Sequence, residues 1–218
     1  MSSLPSVLMR TCWAELMTSS SAGARGSRRQ RSATPLAGLD PVSDAWRIEP
    51  LGKSHERSQF ACGVPALDEY LVRFARQNHE SGIAKTFVAV GPDSPRRVLG
   101  YYSISAGAIE RENLPVRAVK RFPNFPIPVA RLARLAVDRE FQGRGLGEDL
   151  MMDSLNRVLR ASGDIGIVAM LIDAKDEKAR RFYARYEFES LPDQPFTLWL
   201  PMAAIKKLFS GAQSVDDR

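Results

Sequence analysis

At 218 residues the chain is long enough for one domain with a full core and a short appendage, and too short for two comfortable domains. Its 44% hydrophobic and 26% charged residues suit a soluble intracellular protein, and no apolar run approaches the ~20 residues of a membrane span. Two cysteines and two histidines exclude a disulfide framework and a zinc site of usual spacing, while the formal charge of +6 points to an anionic partner without excluding plain solubility.

Residues 1–44 differ from the rest. They are rich in serine and arginine, with Ser19, Ser20, Ser21, Arg28, Arg29 and Arg31, and carry little hydrophobic periodicity, so disorder is expected. A transit peptide, a basic arm on nucleic acid, and a start codon placed too far upstream all fit this composition; the last is preferred because the following domain needs nothing from the segment. The folded domain is expected over 45–209, with a polar tail over 210–218.

Within the domain, Trp46, Ile48 and Leu51 predict a short first strand, followed by a polar helical turn over 53–60. Pro65 opens a helix at the position where its missing N–H is harmless, and Leu67, Leu71, Phe74 and Asn78 mark one face down to Gly82. Thr86–Val90 and Val98–Ser105, separated by Gly91-Pro92-Asp93-Ser94-Pro95, read as a hairpin. Residues 106–128 predict a long, irregular and basic connection. Next come a strand over 128–137 and a helix from Gly145 to about Ala161 that stops at Gly163. The apolar run Ile165–Asp173 predicts a strand buried on both faces. Asp176 then caps a helix through Tyr186, and a strand over 196–200 and a helix over 201–209 finish the domain. This mixed order argues for an α/β layer fold in which the strands flanking the helix at 145–161 are parallel neighbours.

Between the first of those strands and its helix lies Gln142-Gly143-Arg144-Gly145-Leu146-Gly147. Glycines allow the positive φ that turns amides inward, and a helix N-terminus adds its dipole, so the turn suits an anion such as a phosphate. A nucleotide P-loop is excluded because Gly147 is followed by Glu148 and Asp149 rather than Lys and Ser or Thr. A dinucleotide fingerprint fails on the third glycine's spacing and on the turn's late position in the chain. A plain tight turn stays open on the glycines alone.

The hexapeptide resembles the Gln/Arg-x-x-Gly-x-Gly/Ala signature of the GNAT superfamily of acyl-CoA-dependent N-acetyltransferases. Asp176 to Phe188, with Ala179, Phe182 and Tyr183, is similar to that family's closing helix, although Glu187 stands where a glycine is usual. From Trp46 to Phe209 a narrower resemblance runs to the GNAT toxins of toxin–antitoxin pairs. It rests on Phe60-Ala61-Cys62-Gly63, Leu67 to Leu71, Ala84 to Val88, Gly100 to Ile104 and Ala133 to Asp138.

The resemblance implies a mixed central sheet flanked by helices and acetyl-CoA as cosubstrate, with no metal. It implies acetylation of the α-amine of aminoacyl-tRNA in the cytoplasm, restraint by a ribbon-helix-helix antitoxin, and a possible homodimer. On this reading Leu135, Ala136 and Val137 hold the pantetheine arm, and Gln142, Gly143, Arg144, Gly145, Leu146 and Gly147 hold the pyrophosphate. Tyr183 donates a proton to the departing thiolate, since a phenol of pKa ~10 stays protonated at neutral pH. With no candidate base in sight, a weakly basic α-amine is a better acceptor than a lysine. Arg73, Arg76, Lys85, Lys120, Arg121 and Arg134, with Arg117 and Arg131, are expected on the acceptor side, where tRNA needs phosphate contacts. The alternatives are acetylation of a protein N-terminus, a lysine or a small amine, and a non-catalytic co-repressor that grips the antitoxin.

Overall fold

The computed structural model describes residues 45–210; the readings made for 1–44 and for the tail beyond 210 lie outside the described residues. The strands are β1 (Arg47–Pro50), β2 (Lys85–Val90), β3 (Val98–Ile109), β4 (Ile127–Val137), β5 (Ala169–Asp173), β6 (Glu189–Leu191) and β7 (Gln194–Pro201). They form one seven-stranded sheet in the order β1-β2-β3-β4-β5-β7-β6. Only β4 and β5 pair in parallel; every other ladder is antiparallel. That parallel pair is the one expected on either side of the crossover helix α4 (Leu146–Ala161).

One face of the sheet carries α4, α5 (Glu177–Ala184) and α6 (Met202–Ser210), around a core that includes Tyr102, Leu132, Leu135, Val137, Leu150, Met151 and Tyr183. The other face carries α1 (Pro65–Glu69) and α2 (Ala75–Ser81), joined by a π-helical turn at Tyr70–Phe74, over a core of Leu67, Leu71, Val88, Val90, Tyr101 and Ala136. Alternation along each strand produces the two faces: Val88 and Val90 point one way, Phe87 and Ala89 the other. The π turn starts beside a contact from the sheet. The Tyr101 hydroxyl donates to the Leu67 carbonyl at 2.9 Å, and that carbonyl also accepts the Tyr70 N–H, so the sheet side chain reaches the helix just where the π turn begins. Farther along this face a third cluster gathers Ile109, Leu114, Ala118, Leu171 and Trp199 beneath α3 (Val116–Val119).

Several expectations hold. Pro65 stands in the first turn of its helix, Gly82 closes α2 at φ +80°, and the Asp176 carboxylate accepts the Ala179 N–H at 2.8 Å as an N-cap. Others are corrected. Residues 53–60 form no helix; the segment is held by a bridge from Glu56 to Arg97 and by buried His55, whose Nδ1 accepts the Gly52 N–H. The connection 106–128 is shorter than expected because β3 runs on to Ile109, and Arg111 ties what remains by donating to the Val119 and Phe122 carbonyls. The strand read from Ile165 begins only at Ala169, with Ile165 exposed. Helix α4 ends through Ser162 without a left-handed Gly163. The short strand β6, which hairpins onto β7, has too little apolar sequence to announce itself.

Candidate active site

The site is organised by a split in the sheet. Ser103 of β3 pairs with Arg134 while Ile104 pairs with Leu132, so Ala133 is an extra residue, a bulge that bends β4. The ladder from β4 to β5 covers only Ala130 to Leu132 against Met170 to Ile172. Beyond it, β4 keeps its bonds to β3 but parts from β5. Because the Asp138 N–H donates to the Leu99 carbonyl, alternation turns the main-chain groups of Leu135 and Val137 toward the gap. The Val137 carbonyl is taken by the side-chain amide of Gln142 at 3.0 Å, and the same amide donates to the Cys62 carbonyl at 3.0 Å. What remains in the gap is the Leu135 N–H and C=O and the Val137 N–H, a short strand edge.

Asp138 fixes where β4 ends. Its buried carboxylate accepts the Ala61 N–H and the Glu140 N–H, both at 3.1 Å. The chain then enters the glycine turn. Gly143 and Gly145 take φ of +73° and +91°, and a Cβ placed on either would meet nothing within 4 Å. Glycine is required there for backbone shape rather than for space. The first helical bond of α4 runs from the Glu148 N–H to the Gly145 carbonyl, so the amides of Leu146 and Gly147 point out of the helix end. Gly147 itself lies inside the helix against Val137. Arg144 is exposed and leans over the Phe141 ring. Space is the issue at Gly100 instead, where a Cβ would fall 2.9 Å from Leu150 Cδ1 and 3.1 Å from the Ala136 carbonyl, so α4 packs close to the sheet only because this residue is glycine.

Tyr183 comes from α5 on the same face. It is fully buried in the cluster that holds Leu135, Val137 and Leu146, with Phe182 and Phe188 edge-on at 5.2 and 5.9 Å. Burial pushes its phenol well above the ordinary value, so the group stays protonated at any physiological pH. Tyr186, one turn on, is pushed up to about 12 by burial and then by Glu148. Glu187 adopts φ +64°, so the turn keeps the form expected of glycine with a glutamate in the left-handed region.

On the opposite face the bulge brings Arg131 and Arg134 to the same side although three positions separate them. Arg134 lies 3.5 Å above the Tyr70 ring. Arg131 pairs with Asp173, whose other oxygen accepts the Thr197 hydroxyl at 3.1 Å. Arg73 and Arg76 stand on the helices of this face and pair with Glu69 and Glu80. Lys120 and Arg121 follow α3 and are exposed, and Arg117 pairs with Glu189. Lys85 does not join them. It shares the face of Phe87 and Ala89, and borders a cavity of about 590 Å³ beneath the C-terminal end of α4, lined also by Phe87, Ile104, Arg157 and Arg160. That cavity lies at the far end of the sheet from the glycine turn. Among the described residues no cluster of His, Cys, Asp or Glu could hold a metal ion, and no helix is long and apolar enough to cross a membrane.

A family model described as an acetyltransferase (GNAT) domain matches residues 86–190. A curated relative, the tRNA-acetylating toxin of Mycobacterium tuberculosis, is 38% identical over 151 residues, which are 69% of this chain and 89% of that protein. The chain belongs to the GNAT acetyltransferases. Solved structures agree with this GNAT assignment. AtaT complexed with acetyl-methionyl-tRNAfMet superimposes with a TM-score of 0.70 at 32% identity, covering 75% of this chain and 99% of that one. A mutant AtaT toxin bound to the C-terminus of the antitoxin AtaR and acetyl-CoA does so with a TM-score of 0.65 at 29% identity, covering 76% and 99%. The GNAT enzyme described here is thus an acetyl-CoA-dependent N-acetyltransferase.

Sequence reading missed Asp173, Thr197 and the lock at Asp138. A carboxylate ending an otherwise apolar strand was the available signal for Asp173. Asp138 shows its role only once Ala61 is brought beside it.

Proposed function

We propose that this enzyme transfers the acetyl group of acetyl-CoA to the α-amine of aminoacyl-tRNA, and acts in the cytoplasm as a toxin that blocks translation until a ribbon-helix-helix antitoxin binds it. The single observation that carries this reading is the split between β4 and β5, closed at one end by an anion-holding turn and flanked by a buried tyrosine. The gap suits the cosubstrate part by part: Leu135 and Val137 would offer an edge to the amide-bearing pantetheine arm, and the amides from Gly143 to Gly147 would face the pyrophosphate, whereas Gln142 braces the turn, its N–H donating to the Arg139 carbonyl at 3.4 Å. Ala136 faces away, into the core beneath Tyr101, so its part in binding is to hold the strand in register. The names of the tRNA-acetylating relative and of the AtaT complexes with tRNA, acetyl-CoA and antitoxin support the substrate and the partner.

In this mechanism the neutral amine attacks the thioester carbonyl carbon directly. The C–N bond forms as the C–S bond breaks, Tyr183 donates its hydroxyl proton to the leaving sulfur, and the proton shed by the nitrogen restores the hydroxyl through solvent. An esterified α-amine has a pKa below ~8, so a useful fraction is already neutral at physiological pH and no strong base is required. The test is transfer from labelled acetyl-CoA to bulk aminoacylated tRNA, read as N-acetylaminoacyl ends after nuclease digestion. Tyr183→Phe is expected to lower kcat by roughly 10²- to 10⁴-fold with acetyl-CoA binding intact. Brisk, salt-insensitive transfer to small amines with none to charged tRNA would overturn the substrate.

A further inference from the structure

Arg131, Asp173 and Thr197 form a polar group that the reaction as described leaves unused. We propose that the Arg131–Asp173 pair anchors the acceptor end, the Asp173 carboxylate receiving the α-amine and the Arg131 guanidinium the phosphodiester beside it; this rests on aminoacyl-tRNA being the substrate.

Three observations converge on it. Asp173 is the first residue beyond the last β4–β5 ladder pair, Leu132 with Ile172, so it sits at the point where the sheet opens. Its side chain points to the face away from Tyr183. Leu171 and Trp199, which alternate with Asp173 and Thr197, belong to the cluster beneath α3, while Met170, Ile172 and Leu198 share the cluster of Tyr183. An amine entering from this face therefore meets the gap on the side opposite the proton donor, so the nucleophile and the acid that serves the leaving sulfur do not compete for the same space. The pair is also accessible: its side chains are 26% and 33% exposed, although apolar clusters lie on both sides of it.

The pairing suits an amine nucleophile. A lone carboxylate here would stabilise the ammonium and hold the nitrogen protonated; Arg131 offsets that charge, so Asp173 can orient the amine without locking its proton. A carboxylate has about four acceptor positions, and Arg131 and Thr197 occupy two in this arrangement, which leaves room for N–H donors. The acceptor itself carries an amine that donates N–H bonds and, one ribose away, an anionic phosphodiester, matching the two heads of the pair.

The experiment compares wild type and Asp173→Asn, a change that keeps shape and removes charge. Steady-state acetylation is measured against aminoacyl-tRNA and acetyl-CoA, together with equilibrium binding of tRNA carrying either an α-amino acid or its α-hydroxy analogue. The expected result is a KM for aminoacyl-tRNA raised about ten- to hundredfold, an unchanged KM for acetyl-CoA, and loss of the preference for the amino over the hydroxy ester. Equal behaviour of variant and wild type, or a parallel loss for both substrates with the amino preference retained, overturns the inference. Should Asp173→Asn misfold, Thr197→Val keeps the carboxylate and drops its support, and a smaller loss of the same kind is required. Wild type that transfers nothing to charged tRNA removes the proposed substrate and this inference with it, whereas active wild type beside an indifferent variant removes the inference alone.

Discussion

Replacing Gly145 by alanine separates backbone shape from side-chain space in the anion turn. The residue stands at φ +91°, and an added Cβ would meet nothing within 4 Å, so no clash enters. The penalty is the left-handed backbone of an L-residue alone, about 1–2 kcal/mol. Two limits bracket how it is expressed. If the turn keeps its shape, the folded state carries the whole strain and acetyl-CoA binds as before. If the turn relaxes to negative φ, stability is retained, but binding must restore the shape, and the Kd rises by about five- to thirtyfold at most. Between these limits the loss in stability and the loss in affinity add up to the same strain. On the stability side, alanine's narrower unfolded ensemble returns about 0.4–1 kcal/mol. Denaturant unfolding without ligand and calorimetric titration with acetyl-CoA measure both terms. Gly147→Ala is the control: its φ is not positive, its Cβ would touch Val137 Cγ2 at an ordinary 3.7 Å, and helix propensity favours it by about 1 kcal/mol. A Gly145→Ala protein with neither term changed would refute the need for positive φ, and a Kd raised far beyond thirtyfold at full stability would refute the absence of steric conflict.

Gly100→Ala is expected to destabilise by about 1–3 kcal/mol through overpacking, since its Cβ would lie 2.9 Å from Leu150 Cδ1 and 3.1 Å from a carbonyl that cannot step aside; chemical unfolding measures it. Glu187→Gly should stabilise by up to about 1 kcal/mol, because φ +64° burdens glutamate and not glycine, and a thermal midpoint below that of wild type would contradict the strained turn. The pH profile of kcat should rise as the acceptor amine loses its proton and show no falling limb from Tyr183 below about pH 10, because burial raises that phenol. Stability follows the same sign. Tyr102 and Tyr183 both have folded values above the unfolded one, so their contribution is complete below about pH 10 and is lost as the unfolded phenols ionise above it, which a pH series of thermal midpoints will register.

What sequence could show and what it could not follows from the range of the interactions. The shape of the glycine turn was legible because its requirements are local: Gly143 and Gly145 need positive φ whatever surrounds them, and the helix behind announces its own apolar stripe. Asp176 was legible as a cap for the same reason, its bond reaching only to Ala179. The gap between β4 and β5 was not. It depends on a single extra residue, Ala133, that shows only against the register of β3, and nothing in Arg131-Leu132-Ala133-Arg134 distinguishes a bulged strand from a straight one. That same residue decides which arginines can act together, because a straight strand would send Arg131 and Arg134 to opposite faces. Lys85 shows what strand alternation does to such a count. It is one residue from Thr86, which points toward Ser103 on the acceptor face at 2.8 Å, and strand alternation alone carries Lys85 to the other side. Charge counted along a sequence therefore overstates a basic surface, and it has to be counted by face: Arg73, Arg76, Lys120, Arg121, Arg131 and Arg134 remain on the side from which the acceptor would come.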